Sequence, residues 1–256
     1  MSCFNSAIVP LLCRMINLEE LRLYLTELRY HPRFIDAHEL FDEFIVHLTK
    51  LQKFTFNIKT KLMDSENLFK LPTSQDMERS FLEKFNLNVV SSITINLPEK
   101  NGTCHIYTMP YDFEYFYELD NCFQGGIFRR VRYLTMVDTS SFGYELFSIV
   151  SQAFPLLQFL ILTNEDPVTQ ITFPHLVLLD LKFAHVDYAE LFLTKKTMNL
   201  PCLSNLIIEY DLLSKITNEF TRNSTNFNFE TLKNLGVTAT PKMFDEYFSF
   251  LRVVWL

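Results

Sequence analysis

The amino-acid sequence predicts an α/β solenoid, with a row of parallel strands on a concave side and helices on a convex side. Three observations carry that expectation. The pattern apolar-x-x-apolar-x-apolar recurs in nine units along the 256 residues. Another large apolar residue stands three places before each unit. Three consecutive units also share a proline in one register. Nearly half the chain, 48%, is hydrophobic and only 21% is charged, so a core can form and a disordered chain is excluded.

The units are Leu18-Leu21-Leu23, Leu51-Phe54-Phe56, Val90-Ile93-Ile95, Val131-Leu134-Met136, Leu157-Leu160-Leu162, Leu176-Leu179-Leu181, Leu203-Leu206-Ile208, Leu232-Leu235-Val237 and Leu251-Val254-Leu256. In a chain this apolar, three such positions match by chance in roughly one window in nine, so the pattern alone decides little. The preceding residues decide more: Met15, Leu48, Leu87, Phe128, Phe154, Phe173, Leu200, Phe229 and Phe248. The shared prolines are Pro155, Pro174 and Pro201, and Asn164 follows Leu162 by two places. The last two apolar residues of each unit lie two apart and so share one face of a short strand. Proline just upstream fits a strand entrance, where its missing N–H breaks no ladder bond.

Helical spacing fills the gaps between strands. Phe41, Phe44, Ile45 and Leu48 form one stripe within 34–50, and Phe142, Leu146, Ile149 and Val150 another within 142–154. Asp187-x-x-Glu190 reads as a capping box opening a helix that buries Tyr188, Leu191 and Phe192. Thr240 and Pro241 read as the start of a further helix presenting Phe244, Tyr247 and Phe248. Tyr111–Tyr117 reads as an amphipathic helix burying Phe113, Phe116 and Tyr117.

Successive first positions are 33, 39, 41, 26, 19, 27, 29 and 19 residues apart. The later spacings lie near the ~20–29 residues of a leucine-rich repeat; the longer early ones predict insertions, with 98–124 the main excursion. No linker is visible, so residues 1–256 are expected to form one domain of about nine units. The chain opens almost inside the first repeat and stops on the last core position, which is the expectation for part of a longer protein lacking end caps.

Composition excludes several functions. The net charge is −7 without a cationic run, so a phosphate backbone is not an expected partner. No stretch of about 18 apolar residues predicts a membrane span. Five scattered cysteines without a C-x-x-C pair fit reduced thiols in the cytoplasm or nucleus, where the sequons at Asn101 and Asn223 are accidental. Only five glycines occur, with no glycine-rich phosphate loop and no H-E-x-x-H. Cys104 and His105 are adjacent and on a strand would face opposite ways, which disfavours a nucleophile–base pair. His185-Val186-Asp187 reads more simply as a turn and helix cap than as an acid–base pair. No enzyme, cofactor or metal is expected.

The outward strand positions form the expected binding surface. One row reads Arg22, Thr55, Thr94, Thr135, Ile161, Asp180, Ile207, Gly236 and Trp255; its neighbour includes Tyr24, Asn57, Val137, Lys182 and Glu209. Arg22, Tyr24, Asp180, Lys182, Glu209 and Trp255 are the candidate partner-binding residues, combining charge with the types enriched at hot spots.

The nine units resemble the ribonuclease-inhibitor-like leucine-rich repeats of F-box proteins. Phe173-Pro174-His175-Leu176 through Leu179-Asp180-Leu181, and Ala184-His185-Val186-Asp187-Tyr188-Ala189-Glu190, are similar to the repeat region of a large F-box family. The resemblance implies a leucine-rich-repeat horseshoe acting as the substrate-recognition part of a ubiquitin-ligase subunit. A protein substrate would lie on the concave face. The Leu-Pro-rich F-box signature is not found in the sequence, so a ligase adaptor is an expected partner only if an F-box lies upstream. The alternative is a repeat-only adaptor or inhibitor.

Overall fold

The computed structural model describes residues 4–31, 33–63, 68–137, 142–163, 171–195, 197–238 and 252–255. The fold is mixed α/β, and the chain divides into two compact units, Met1–Asp112 and Phe113–Leu256. Instead of one row of strands, there are two principal sheets of different construction.

In the first unit, β1 (Glu20–Arg29) and β2 (Lys53–Leu62) pair in parallel, with Leu21 opposite Phe54 and Leu23 opposite Phe56. This is the predicted repeat relation. The Glu19 carbonyl accepts from two successive N–H groups, Gln52 at 2.8 Å and Lys53 at 3.1 Å, fixing where β2 starts. Next comes a departure. β3 (Val89–Asn96) and β4 (Asn101–Thr108) form an antiparallel pair, and β4 takes the place beside β2. The sheet order is therefore β1-β2-β4-β3.

The expected third unit is corrected accordingly. Val90 and Ile95 lie on an edge strand and are exposed, while Cys104 and Ile106 of β4 fill the core positions opposite Thr60 and Ile58. A short return at 97–100 favours an antiparallel neighbour, whereas a parallel one needs a long crossover.

Three helices complete this unit. α1 (Val9–Leu12) follows a π-helical turn, Phe4–Ile8. α2 (Ala37–Glu43) begins at Asp36, whose carboxylate accepts from the Glu39 N–H at 2.8 Å. It ends at Phe44, so the predicted stripe continues as a 3-10 turn, burying Phe44 and Leu48 but only half-burying Phe41 and Ile45. α3 (Ser74–Phe85) opens with a reciprocal Thr73–Asp76 capping box and closes at Asn86 in the left-handed region. Leu21, Leu23, Phe56, Ile58, Leu40 and Phe81 belong to one buried cluster. Each such side chain stabilises the fold by roughly 1.5–3 kcal/mol relative to exposure.

The second unit contains a seven-stranded sheet in which every neighbouring pair is parallel. Its strands are β5 (Tyr115–Leu119), β6 (Tyr133–Val137), β7 (Phe159–Thr163), β9 (Leu178–Leu181), β11 (Asn205–Glu209), β12 (Asn234–Thr238) and β13 (Arg252–Trp255), adjacent in chain order. β8 (Ile171–Thr172) and β10 (Met198–Asn199) pair separately. Among the described residues its helices are α4 (Tyr144–Ala153), α5 (Val186–Leu193) and α6 (Tyr210–Thr217).

Four apolar columns run through this unit, and the sequence pattern anticipated each. Phe128, Phe154, Phe173, Leu200 and Phe229 are buried, as are Val131, Leu157, Leu176, Leu203 and Leu232. So are the two strand columns, from Leu134 to Leu235 and from Met136 to Val237. A turn links the first two columns: the N–H of Leu157 donates to the Phe154 carbonyl at 3.1 Å, that of Leu176 to Phe173 at 3.4 Å, and that of Leu203 to Leu200 at 3.2 Å. Pro155, Pro174 and Pro201 occupy the second turn position, which their fixed φ suits.

The doubled acceptor at a strand start also recurs. The Arg132 carbonyl accepts from Gln158 and Phe159, that of Gln158 from Val177 and Leu178, that of Val177 from Ser204 and Asn205, and that of Ser204 from Lys233 and Asn234. Each strand is thus set in register by its predecessor.

Four readings need correction or fall elsewhere. Residues 115–119 form β5, not a helix; Phe116 is buried, but Tyr117 is 42% exposed because the period is two rather than 3.6. His185, not Asp187, caps α5, its ring accepting from the Asp187 N–H; Tyr188, Leu191 and Phe192 are buried as expected. β13 is shifted by one residue from the expected register, with Val254 opposite Gly236 and Trp255 opposite Val237. Asn164, the helix from Thr240 and Pro241, and Phe248 lie outside the described residues.

Candidate functional site

Alternation along β6 turns Tyr133, Thr135 and Val137 away from the buried Leu134 and Met136. Parallel register aligns Tyr115, Tyr133, Phe159, Leu178, Asn205 and Asn234 across six strands. The aromatic end of this row forms a ladder. Tyr115 stacks on Tyr133 with centroids 4.7 Å apart and planes 20° apart; Tyr133 stacks on Phe159 at 4.2 Å and 6°. Tyr117 stacks on Tyr115 at 5.7 Å. Beside it lies a second row containing Thr135, Ile161 and Asp180.

Tyr115, Tyr117, Val137 and Ile161 are exposed at 40%, 42%, 44% and 37%, so this is an apolar strip open to solvent. The stack uses ring faces against one another, each pair contributing about 0.5–1.5 kcal/mol beyond burial. The Tyr117 phenol is pushed up by burial and by neighbouring Tyr115 and Tyr133, and it stays a hydrogen-bond donor. Further along, the row turns polar: Asn234 Nδ2 donates to Asn205 Oδ1 at 2.7 Å, and Asn205 Nδ2 to Ser204 Oγ at 2.8 Å.

The six predicted partner-binding residues fall on two separate sheets. Arg22 and Tyr24 lie on β1 of the first sheet. The Arg22 guanidinium donates to the Asp112 carbonyl and stands 3.6 Å from its carboxylate. Tyr24 is hydrogen-bonded to Tyr111. Both are therefore engaged within their own unit. Asp180 and Lys182 do lie on the second unit's outward side, but Asp180 accepts from the Lys182 N–H at 3.0 Å, a local turn bond. Glu209 is exposed at the end of β11. The aromatic ladder itself was missed. Tyr115, Tyr133 and Phe159 each precede a core position by one residue, but only the strand register brings them into one row.

The first unit holds a buried polar chain. Asn57 Oδ1 accepts from His105 Nε2 at 2.9 Å, and Asn57 Nδ2 donates to the Tyr111 hydroxyl at 2.7 Å. Burial pushes the Tyr111 phenol up. Cys104, on the opposite face of β4, is enclosed by apolar groups, and burial raises its thiol to about 12. It is neutral and a poor nucleophile near pH 7. Opposite facing thus separates Cys104 from His105, as the strand geometry predicts.

Two other arrangements carry polar groups. His185 Nδ1 and Asp187 Oδ2 are 3.1 Å apart at the start of α5, partly exposed, and there the imidazole caps the helix. A cleft of about 490 Å³ in the first unit is lined by Leu28, Arg29, Tyr30, Glu39 and Asp42, among others. Within it Arg29 forms a bidentate pair with Glu39, at 2.9 and 2.5 Å, so the best-placed charges neutralise each other. Among the described residues, no cluster of His, Cys, Asp and Glu is placed to hold a metal ion, and no helix is long and apolar enough to cross a membrane.

No family model, curated protein or solved structure matches the chain.

Proposed function

We propose that the chain is a non-catalytic protein-binding scaffold and that its binding face is the aromatic strip of the second unit. In this reading the second unit is a leucine-rich-repeat-like solenoid. Its support is the recurring turn, the doubled acceptor and the four apolar columns, all carried through strands adjacent in chain order. One observation carries the functional part: Tyr115, Tyr117, Val137 and Ile161 are left exposed together on a rigid parallel sheet. Aromatic and aliphatic groups on an ordered surface give large contact area at low entropic cost.

The resemblance to F-box repeat regions extends the proposal to substrate recognition within a ubiquitin ligase. The test is affinity capture from the native cell extract with the tagged chain, its Tyr115→Ala/Ile161→Asp variant and a Leu82→Asp control. Both sites chosen for substitution are exposed, so the fold should persist. The expected outcome is a partner retained by wild type and control but reduced roughly tenfold or more by the strip variant. Recovery of a ligase adaptor and cullin with that partner, by the chain extended to include any upstream F-box, supports the ligase role; a partner recovered by that extended form without them favours an adaptor or inhibitor. A partner bound equally by all three forms would overturn the assignment of this face.

A further inference from the structure

Resting on that reading, we infer that the strip selects an acidic peptide segment carrying apolar side chains. The argument starts from charge placement along the strand starts. The turn preceding β6 presents Arg129 and Arg130, both exposed, and Arg132 follows directly before Tyr133. Arg132 Nη1 donates to the Arg129 carbonyl at 3.2 Å, which holds its guanidinium against the turn. The equivalent turns of the next units carry Pro155-Leu156, Pro174-His175, Pro201-Cys202 and Glu230-Thr231. Three arginines therefore fall on the turn and strand start at the aromatic end of the sheet, whereas the equivalent positions of the next four units carry one such cation, Lys233.

The ladder favours the same sign. Because Tyr115, Tyr133 and Phe159 stack face to face, they present their edges, where the ring quadrupole is positive, together with tyrosine hydroxyls. The ring faces inside the stack, those of Tyr115 and Tyr133, are occupied by neighbouring rings. A carboxylate above the arginine turn would accept charge-assisted hydrogen bonds, and adjacent apolar side chains would cover Ile161 and Val137. Glu114, exposed before Tyr115, and Asp180, paired with Ile161 in the next row, are carboxylates that such a segment must avoid.

The probe is a displayed random dodecapeptide library selected on the whole tagged chain. The expected result is enrichment of Asp and Glu together with Leu, Ile, Met or aromatic residues. Selected peptides should bind about tenfold more weakly to an Arg129→Glu/Arg130→Glu variant, and salt should weaken the wild-type complex. Those turn arginines are exposed, so the variant is expected to fold, and circular dichroism checks that it does. Peptides that depend on Tyr115 and Ile161 but show no acidic bias and ignore the arginine reversal would overturn the charge selection while leaving the binding face intact. If no recovered peptide depends on Tyr115 and Ile161, the face and the selection fail together.

Discussion

At the residue scale, burial decides chemistry more firmly than residue identity does. Cys104 and His105 are neighbours with catalytic potential on paper, yet the strand sends one into an apolar core and the other to Asn57. The thiol also makes a pH-dependent contribution to stability. Its ordinary value is 9.0, and the fold raises it to about 12. Between those values the unfolded chain releases the proton while the folded chain keeps it, so stability is full below pH 9 and falls as pH rises toward 12. The slope approaches about 1.4 kcal/mol per pH unit for one such group. Urea unfolding at about pH 8 and about pH 10.5 should show a steeper loss for wild type than for Cys104→Ala, by roughly 1–2 kcal/mol. Parallel losses would mean that the thiol does not ionise on unfolding in that range.

At the element scale, the legible part of the sequence was what one strand shares with the next. Phe173-Pro174-His175-Leu176 showed its apolar positions and proline, and these are the turn and two buried columns of the structure. Residues 115–119 were less legible, since five residues rich in tyrosine and phenylalanine satisfy a helical stripe or a short strand alike. The β3–β4 pair was hidden for another reason: Val90-Ile93-Ile95 fits the repeat pattern, but the return from Asn96 to Asn101 decides its partner. The aromatic ladder escaped because outward positions follow no apolar rule and become a surface only when register aligns them. Within the legible turn, burial and chain stiffness separate cleanly. Phe173→Ala should lower stability by about 3–5 kcal/mol, since the ring is buried and leaves a cavity. Pro174→Ala should cost only about 0.4–1 kcal/mol, acting through the freedom of the unfolded chain. Denaturant midpoints check both; equal losses would show that the proline has a packing role beyond setting φ.

At the scale of the molecule, one repeat pattern leads to two kinds of sheet. In the second unit each strand is registered by its predecessor through the doubled carbonyl acceptor, so order propagates from neighbour to neighbour. In the first unit only β1 and β2 follow that rule, and β4 closes the sheet from the opposite direction. The two should therefore respond differently to loss of one core side chain. Stacked repeats are stabilised chiefly by nearest-neighbour interfaces, so Leu179→Ala in β9 should accelerate amide exchange most in β7, β9 and β11 and less in β6 and β12. Phe56→Ala in β2 removes a buried ring from the single first-unit cluster, so exchange should rise across β1, β2 and β4 together. Native-state hydrogen exchange resolved by mass spectrometry reads both patterns. A graded response in the second unit beside a uniform one in the first supports this account. A uniform rise throughout the second unit would instead show that its strands open as one body, and the nearest-neighbour description of this sheet would have to be given up.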